Sequence, residues 1–91
     1  MSHQANSDRA QDILSTLSEW QYLRPHRPLS DVIADAVAKL GICPDAAQRA
    51  VDRLEMDGSH PVGRLRATEL TQLARCMQRM WDAAEAMSQQ A

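Results

Sequence analysis

The 91-residue sequence contains no phenylalanine, and aromatic residues make up only 3% of it. A core must therefore be assembled from Leu, Val, Ile, Ala and the five Met rather than from rings. Three Gly and four Pro are too few for a collagenous or loop-rich chain. No apolar run approaches the roughly 18–20 residues that a membrane span requires. The opening MSHQANSDRA also lacks the apolar stretch of a secretory signal. Only two cysteines occur, Cys43 and Cys76, widely separated and outside any CxxC. Reduced thiols in a cytoplasmic protein are the expectation. With His3, His26 and His60 they form no metal-ligand spacing, so no metal site is expected. There is no Gly-rich phosphate loop, no GxSxG and no HExxH. Asp57, Ser59 and His60 read as turn chemistry rather than a triad. Neither an enzyme nor a cofactor is expected. Ten Lys+Arg against twelve Asp+Glu give a formal charge of −2, so net charge alone demands no polyanionic partner.

What is present reads as helix. An apolar content of 44% with 24% charge suits one small domain over residues 1–91, with a disordered tail expected over 1–6. Ala10, Ile13, Leu14, Leu17 and Trp20 recur at helical spacing, predicting a first helix from Ser7 or Asp8 to Leu23. Pro25 stops it, and Arg24-Pro25-His26-Arg27-Pro28 becomes a stiff basic connector. Ser30 is the expected cap of a second helix from Asp31 to Leu40, with Gly41 in the left-handed region at its end. A third helix starts at Pro44, turns Ala47, Ala50, Val51 and Leu54 inward, and should run to Asp57-Gly58. Residues 58–66, GSHPVGRLR, hold a small hairpin or a plain loop, with Pro61 opposing regular strand pairing. A fourth amphipathic helix is expected over 68–87. The fold class is all-α: a small four-helix domain.

Residues 30–57 make a helix, a three-residue turn opening on Gly, and a second amphipathic helix, which is the layout of a helix-turn-helix. The run Gly41-Ile-Cys-Pro-Asp-Ala-Ala-Gln-Arg-Ala-Val-Asp-Arg-Leu-Glu55 resembles the recognition-helix segment of winged-helix regulators of the MarR type. The likeness is close over residues 29–58 and looser over 67–87, and the segment that would be the wing is short. The resemblance implies transcriptional regulation through DNA. It also implies a third helix that meets the major groove with Asp45, Ala46, Gln48, Arg49 and Arg53. Gln48, Arg49 and Arg53 are the reading residues, because Gln pairs with adenine and Arg with guanine by two hydrogen bonds each. Arg64 and Arg66 would reach phosphates. Against this, Asp45, Asp52, Glu55 and Asp57 cancel Arg49, Arg53, Arg64 and Arg66, so this stretch is neutral. The alternative is a helical adaptor that binds another protein through its last helix or through charged helix three.

The last helix carries a heptad-like stripe of Leu70, Leu73, Met77, Met80, Ala84 and Met87, flanked by Trp81. It predicts a homodimer seam, a partner groove, or the chain's own core. Cys43, at the start of helix three, is either a small turn residue or a thiol sensitised by the helix end.

Overall fold

Prolines and one glycine set where this chain turns. The computed structural model describes the backbone of residues 2–90 and the side chains of residues 9–88. Helix α1 spans Ser2–Leu23, α2 Leu29–Leu40, α3 Pro44–Arg53 and α4 Ala67–Gln90, with one 3-10 turn over Val62–Arg64. Among the described residues there is no strand, only an isolated antiparallel bridge between Pro28 and Pro61. The all-α expectation holds. Helix α1 starts earlier than the expected Ser7 or Asp8, and the tail expected over 1–6 falls among side chains outside those described.

The start of α2 and the end of α3 also differ from expectation, the first for a long-range reason and the second for a local one. Helix α2 begins at Leu29, with Pro28 at the cap and no side chain capping it, so Ser30 lies inside the first turn. Its free N–H groups are met from far along the chain: Leu29 N–H donates to the His60 carbonyl at 2.9 Å and Ser30 N–H to that of Gly58 at 2.8 Å. Those bonds satisfy the donors that a capping side chain would otherwise take. At the other end Gly41 takes φ 75° and its N–H donates to the Val37 carbonyl, as expected for a left-handed glycine end. Helix α3 stops at Arg53, short of the expected Asp57-Gly58. The N–H of Met56 donates to the Val51 carbonyl and that of Glu55 to Asp52, both at 3.0 Å. This is a Schellman ending, and it places Glu55 at φ 54°, where glycine usually sits.

Residues 58–66 form no hairpin. They dock instead on the 24–28 connector. Val62 N–H donates to the Arg27 carbonyl and Gly63 N–H to that of Pro25, each at 2.9 Å. The Gln21 side-chain amide, near the end of α1, donates to the carbonyls of Val62 at 3.2 Å and Leu65 at 2.7 Å. The two segments are thereby stitched edge to edge. The turn buries Val62 and Leu65 in the core.

Helices α1 and α4 run antiparallel, since Arg9 meets Asp82 while Gln21 meets Leu65 at the opposite end. Helix α2 packs on α1, and α3 on α4. The core joins Ile13 and Leu17 to Leu29, Val32, Ala36, Ala50 and Val51, closed by Leu70, Leu73, Cys76 and Met77. Cys76 is thus a buried free thiol, and Cys43 is half-buried. The stripe on α4 divides here. Leu70, Leu73 and Met77 are buried inside this chain and belong to its own core. Met80, Trp81 and Ala84 are half-buried, and Met87 is 71% exposed.

Two backbone positions give direct tests. A Cβ at Gly63 would lie 2.4 Å from Pro25 Cβ and 2.9 Å from the Pro25 carbonyl oxygen, whereas one at Gly58 meets only Ser30 Cβ at 3.5 Å. Gly63→Ala should destabilise by about 1–3 kcal/mol, as overpacking does, and Gly58→Ala should cost far less. Equal urea midpoints for the two variants would refute the close approach. Glu55→Gly should stabilise by up to about 1 kcal/mol, because glycine relieves the left-handed strain but loses more entropy on folding. That is a rise of several degrees in Tm for a domain of this length.

Candidate nucleic-acid interface

The sequence of α3 alternates small apolar with polar residues at helical spacing, and the fold sorts them accordingly. Ala47, Ala50 and Val51 are buried, while Asp45, Gln48, Arg49, Asp52 and Arg53 are exposed. Ala46, expected among the outward residues, is 2% exposed and packs inward. The outward face is engaged with itself. The Arg49 Nε lies 3.1 Å from Asp45, and Gln48 Nε2 donates to Asp52 at 3.0 Å, each pair one turn apart. Arg53, at the end of the helix, has no ion pair among the described residues. Gln48, Arg49 and Arg53 therefore share one solvent-facing surface, and carboxylates hold two of the three.

Arg64 and Arg66 belong to a different place. The stitched segments 24–28 and 60–66 carry Arg24, Arg27, Arg64 and Arg66 with His26 and His60, and contain no acidic residue. The backbone bonds Val62 to Arg27 and Gly63 to Pro25 bring these side chains to one end of the molecule. Arg27 makes an ion pair with Asp31 at 3.0 Å, on side chains 49% and 40% exposed. Arg24 lies over the Trp20 ring, 5.1 Å from its centre, and the Trp20 indole N–H donates to Asp35 at 2.8 Å. Arg64 and Arg66 are exposed and without ion pairs among the described residues. Arg66 uses its backbone N–H instead, donating to Glu69 at 2.8 Å and so capping α4. Each half is legible in the sequence as a basic segment, but nothing local says that the two meet. Arg24 and Arg27 therefore do not stand out in the sequence as neighbours of Arg64 and Arg66.

Helix α3 and this basic corner are neighbours in the chain path. Residues 54–57 lead from Arg53 to Gly58, whose carbonyl holds the start of α2. Asp57 shapes this passage, accepting from the Ser59 backbone N–H at 2.9 Å and from Ser59 Oγ at 2.7 Å. No group of His, Cys, Asp and Glu among the described residues could hold a metal ion, and no helix is long and apolar enough to cross a membrane. No family model matches the chain, and neither a curated protein nor a solved structure gives a significant match.

The Asp57 turn has a pH signature. The hydrogen bonds from the Ser59 backbone and side chain hold its carboxyl below the ordinary value of 3.8. A lowered carboxyl stabilises the fold above its unfolded value and loses that contribution as the pH falls toward the lowered one. Asp57→Asn should therefore lower stability at neutral pH, and its difference from the wild type should shrink below pH 3.8. A difference that stays constant through acid titration would show that the turn does not depend on the charge.

Proposed function

We propose that this chain is a small helix-turn-helix DNA-binding protein of the kind that acts in transcriptional regulation. The observation that supports it most is the basic corner, where two acid-free segments carrying four arginines are bonded backbone to backbone. Neutralising phosphates with Lys and Arg supplies essentially all non-specific DNA affinity and a large share of specific affinity. In this reading Arg24, Arg27, Arg64 and Arg66 track the phosphates, and α3 presents Gln48, Arg49 and Arg53 to the bases.

The carboxylates on α3 oppose this reading but are too weakly held to forbid it. An exposed ion pair one turn apart is worth about 0.3–0.5 kcal/mol, whereas a good two-bond contact to a base discriminates by about 1–3 kcal/mol. Opening Arg49 from Asp45 therefore costs less than one correct guanine returns. The N-terminal turn of α3, with Asp45 outward and Ala46 buried, is the poorer half for DNA. The C-terminal turn, where Arg53 is exposed and has no ion pair among the described residues, is the better one.

A second reading is a protein-binding module that uses the same α3 surface. Its support is that surface's mixed sign, with Asp45, Asp52 and Glu55 exposed beside Arg49 and Arg53. Binding of a mixed-sequence duplex across a salt series separates the two. For the DNA protein, log affinity falls with log salt, and each of Arg24, Arg27, Arg64 and Arg66 changed to Gln lowers the slope by about 0.9. Arg49→Ala should keep the fold and lose about 1–3 kcal/mol on a preferred sequence only. Absence of binding even at low salt would overturn the DNA reading and leave α3 to a protein.

A further inference from the structure

A groove of about 740 Å³ opens along the antiparallel pair α1 and α4, closed at one side by the end of α3. Its floor is apolar: Leu14 from α1, Leu54 from just beyond α3, and the fully buried Ala74 of α4. Its rim is basic. Arg75 and Arg79 stand one turn apart on α4, both exposed, and neither has an ion pair among the described residues. No acidic residue lines the groove, although the chain as a whole has more carboxylates than cations. Along α4 the lining runs from Thr71 to Arg79, about 12 Å at 1.5 Å per residue, or two turns.

We propose that this groove docks an acidic amphipathic helix of a partner protein. A helix laid between two antiparallel helices buries anchors at i, i+4 and i+7, which is two turns. Aliphatic anchors would cover the half-buried Leu14 and Leu54, with Ala74 beneath them. Glu or Asp on the flanks would meet Arg75 and Arg79, which are left without carboxylates of their own. A second copy of this chain fits less well. A two-fold contact whose axis passes beside Arg75 and Arg79 would set them against their own copies, and like charges in contact oppose association. The proposal is independent of DNA binding, because none of the groove residues belongs to α3's outward face or to the basic corner.

The probe is a randomised library of helical peptides, about four turns long so that two can seat, selected on the full chain. Selected peptides should carry aliphatic residues at i, i+4 and i+7 with Glu or Asp beside them. Titrating one should move the amide signals of Leu14, Leu54 and Ala74. The double variant Arg75→Glu with Arg79→Glu, made at exposed positions, should keep its circular dichroism and bind that peptide at least about tenfold more weakly. It should gain affinity for the same peptide with its acids changed to Lys. Four results overturn the proposal. They are a selection yielding no binder or no acidic bias, affinity unchanged in the double variant, signals moving elsewhere, and a dimer in sedimentation whose contact covers Leu14 and Leu54.

Discussion

Four backbone hydrogen bonds between residues 25–30 and 58–63 hold this molecule's geometry together. Pro25, Pro28 and Pro61 lie in these segments and have no N–H to give. The donors are therefore Leu29, Ser30, Val62 and Gly63, and the carbonyls of Pro25, Arg27, Gly58 and His60 receive them. Much follows from this seam. It supplies the cap that α2 lacks, presses Val62 and Leu65 into the core, and admits only glycine at 63 against Pro25. Gln21 reinforces it from α1 with two more bonds. Loss of one such partner would leave a backbone group unsatisfied at about 1–3 kcal/mol, so the seam tolerates little change.

Local rules read the helices well because helices are local objects. Periodicity located α2, α3 and α4 to within a few residues, and Gly41 has the positive φ that its place after Leu40 requires. The departures have two causes, one distant and one local. Ser30 looked like a cap because its neighbours promised no other acceptor, yet the acceptors are carbonyls about thirty residues away in sequence. Glu55 looked like helix because a glycine stop was visible only at Gly58, but the Schellman bonds close three residues sooner. The stripe on α4 was ambiguous for a related reason. Spacing alone does not say that α3 and α1 cover Leu70, Leu73 and Met77 but leave Met87 open.

The candidate site was legible in the same uneven way. The outward residues of α3 follow from helical geometry, with Ala46 the exception, being small enough to pack inward. The four-residue spacings of Asp45 with Arg49 and Gln48 with Asp52 already contained the pairs that form. By contrast, Arg24 and Arg27 join Arg64 and Arg66 only through the seam. A basic surface made from two short segments has no signature in either one.

Charge allocation links the corner to the groove. The net charge of −2 conceals a sorting of carboxylates onto particular partners: Asp82 and Glu85 on Arg9, Glu19 on Lys39, Asp31 on Arg27 and Asp45 on Arg49. Arg9 also lies over Trp81, 4.1 Å from the ring centre, and its bond to Glu85 raises an already high guanidinium value. That arginine is fully committed to joining α1 and α4. What remains positive lies in three places: Arg53 at the end of α3, Arg64 and Arg66 with Arg24 at one end of the molecule, and Arg75 with Arg79 along the groove. Along α4, Arg66 at the cap and Arg75 on the groove rim are nine residues apart, about 14 Å by helical rise. Charges exposed to water are largely screened beyond about 8 Å at physiological salt. The corner and the groove are therefore largely screened from one another, while Arg53, next in sequence to the groove residue Leu54, lies closer to it.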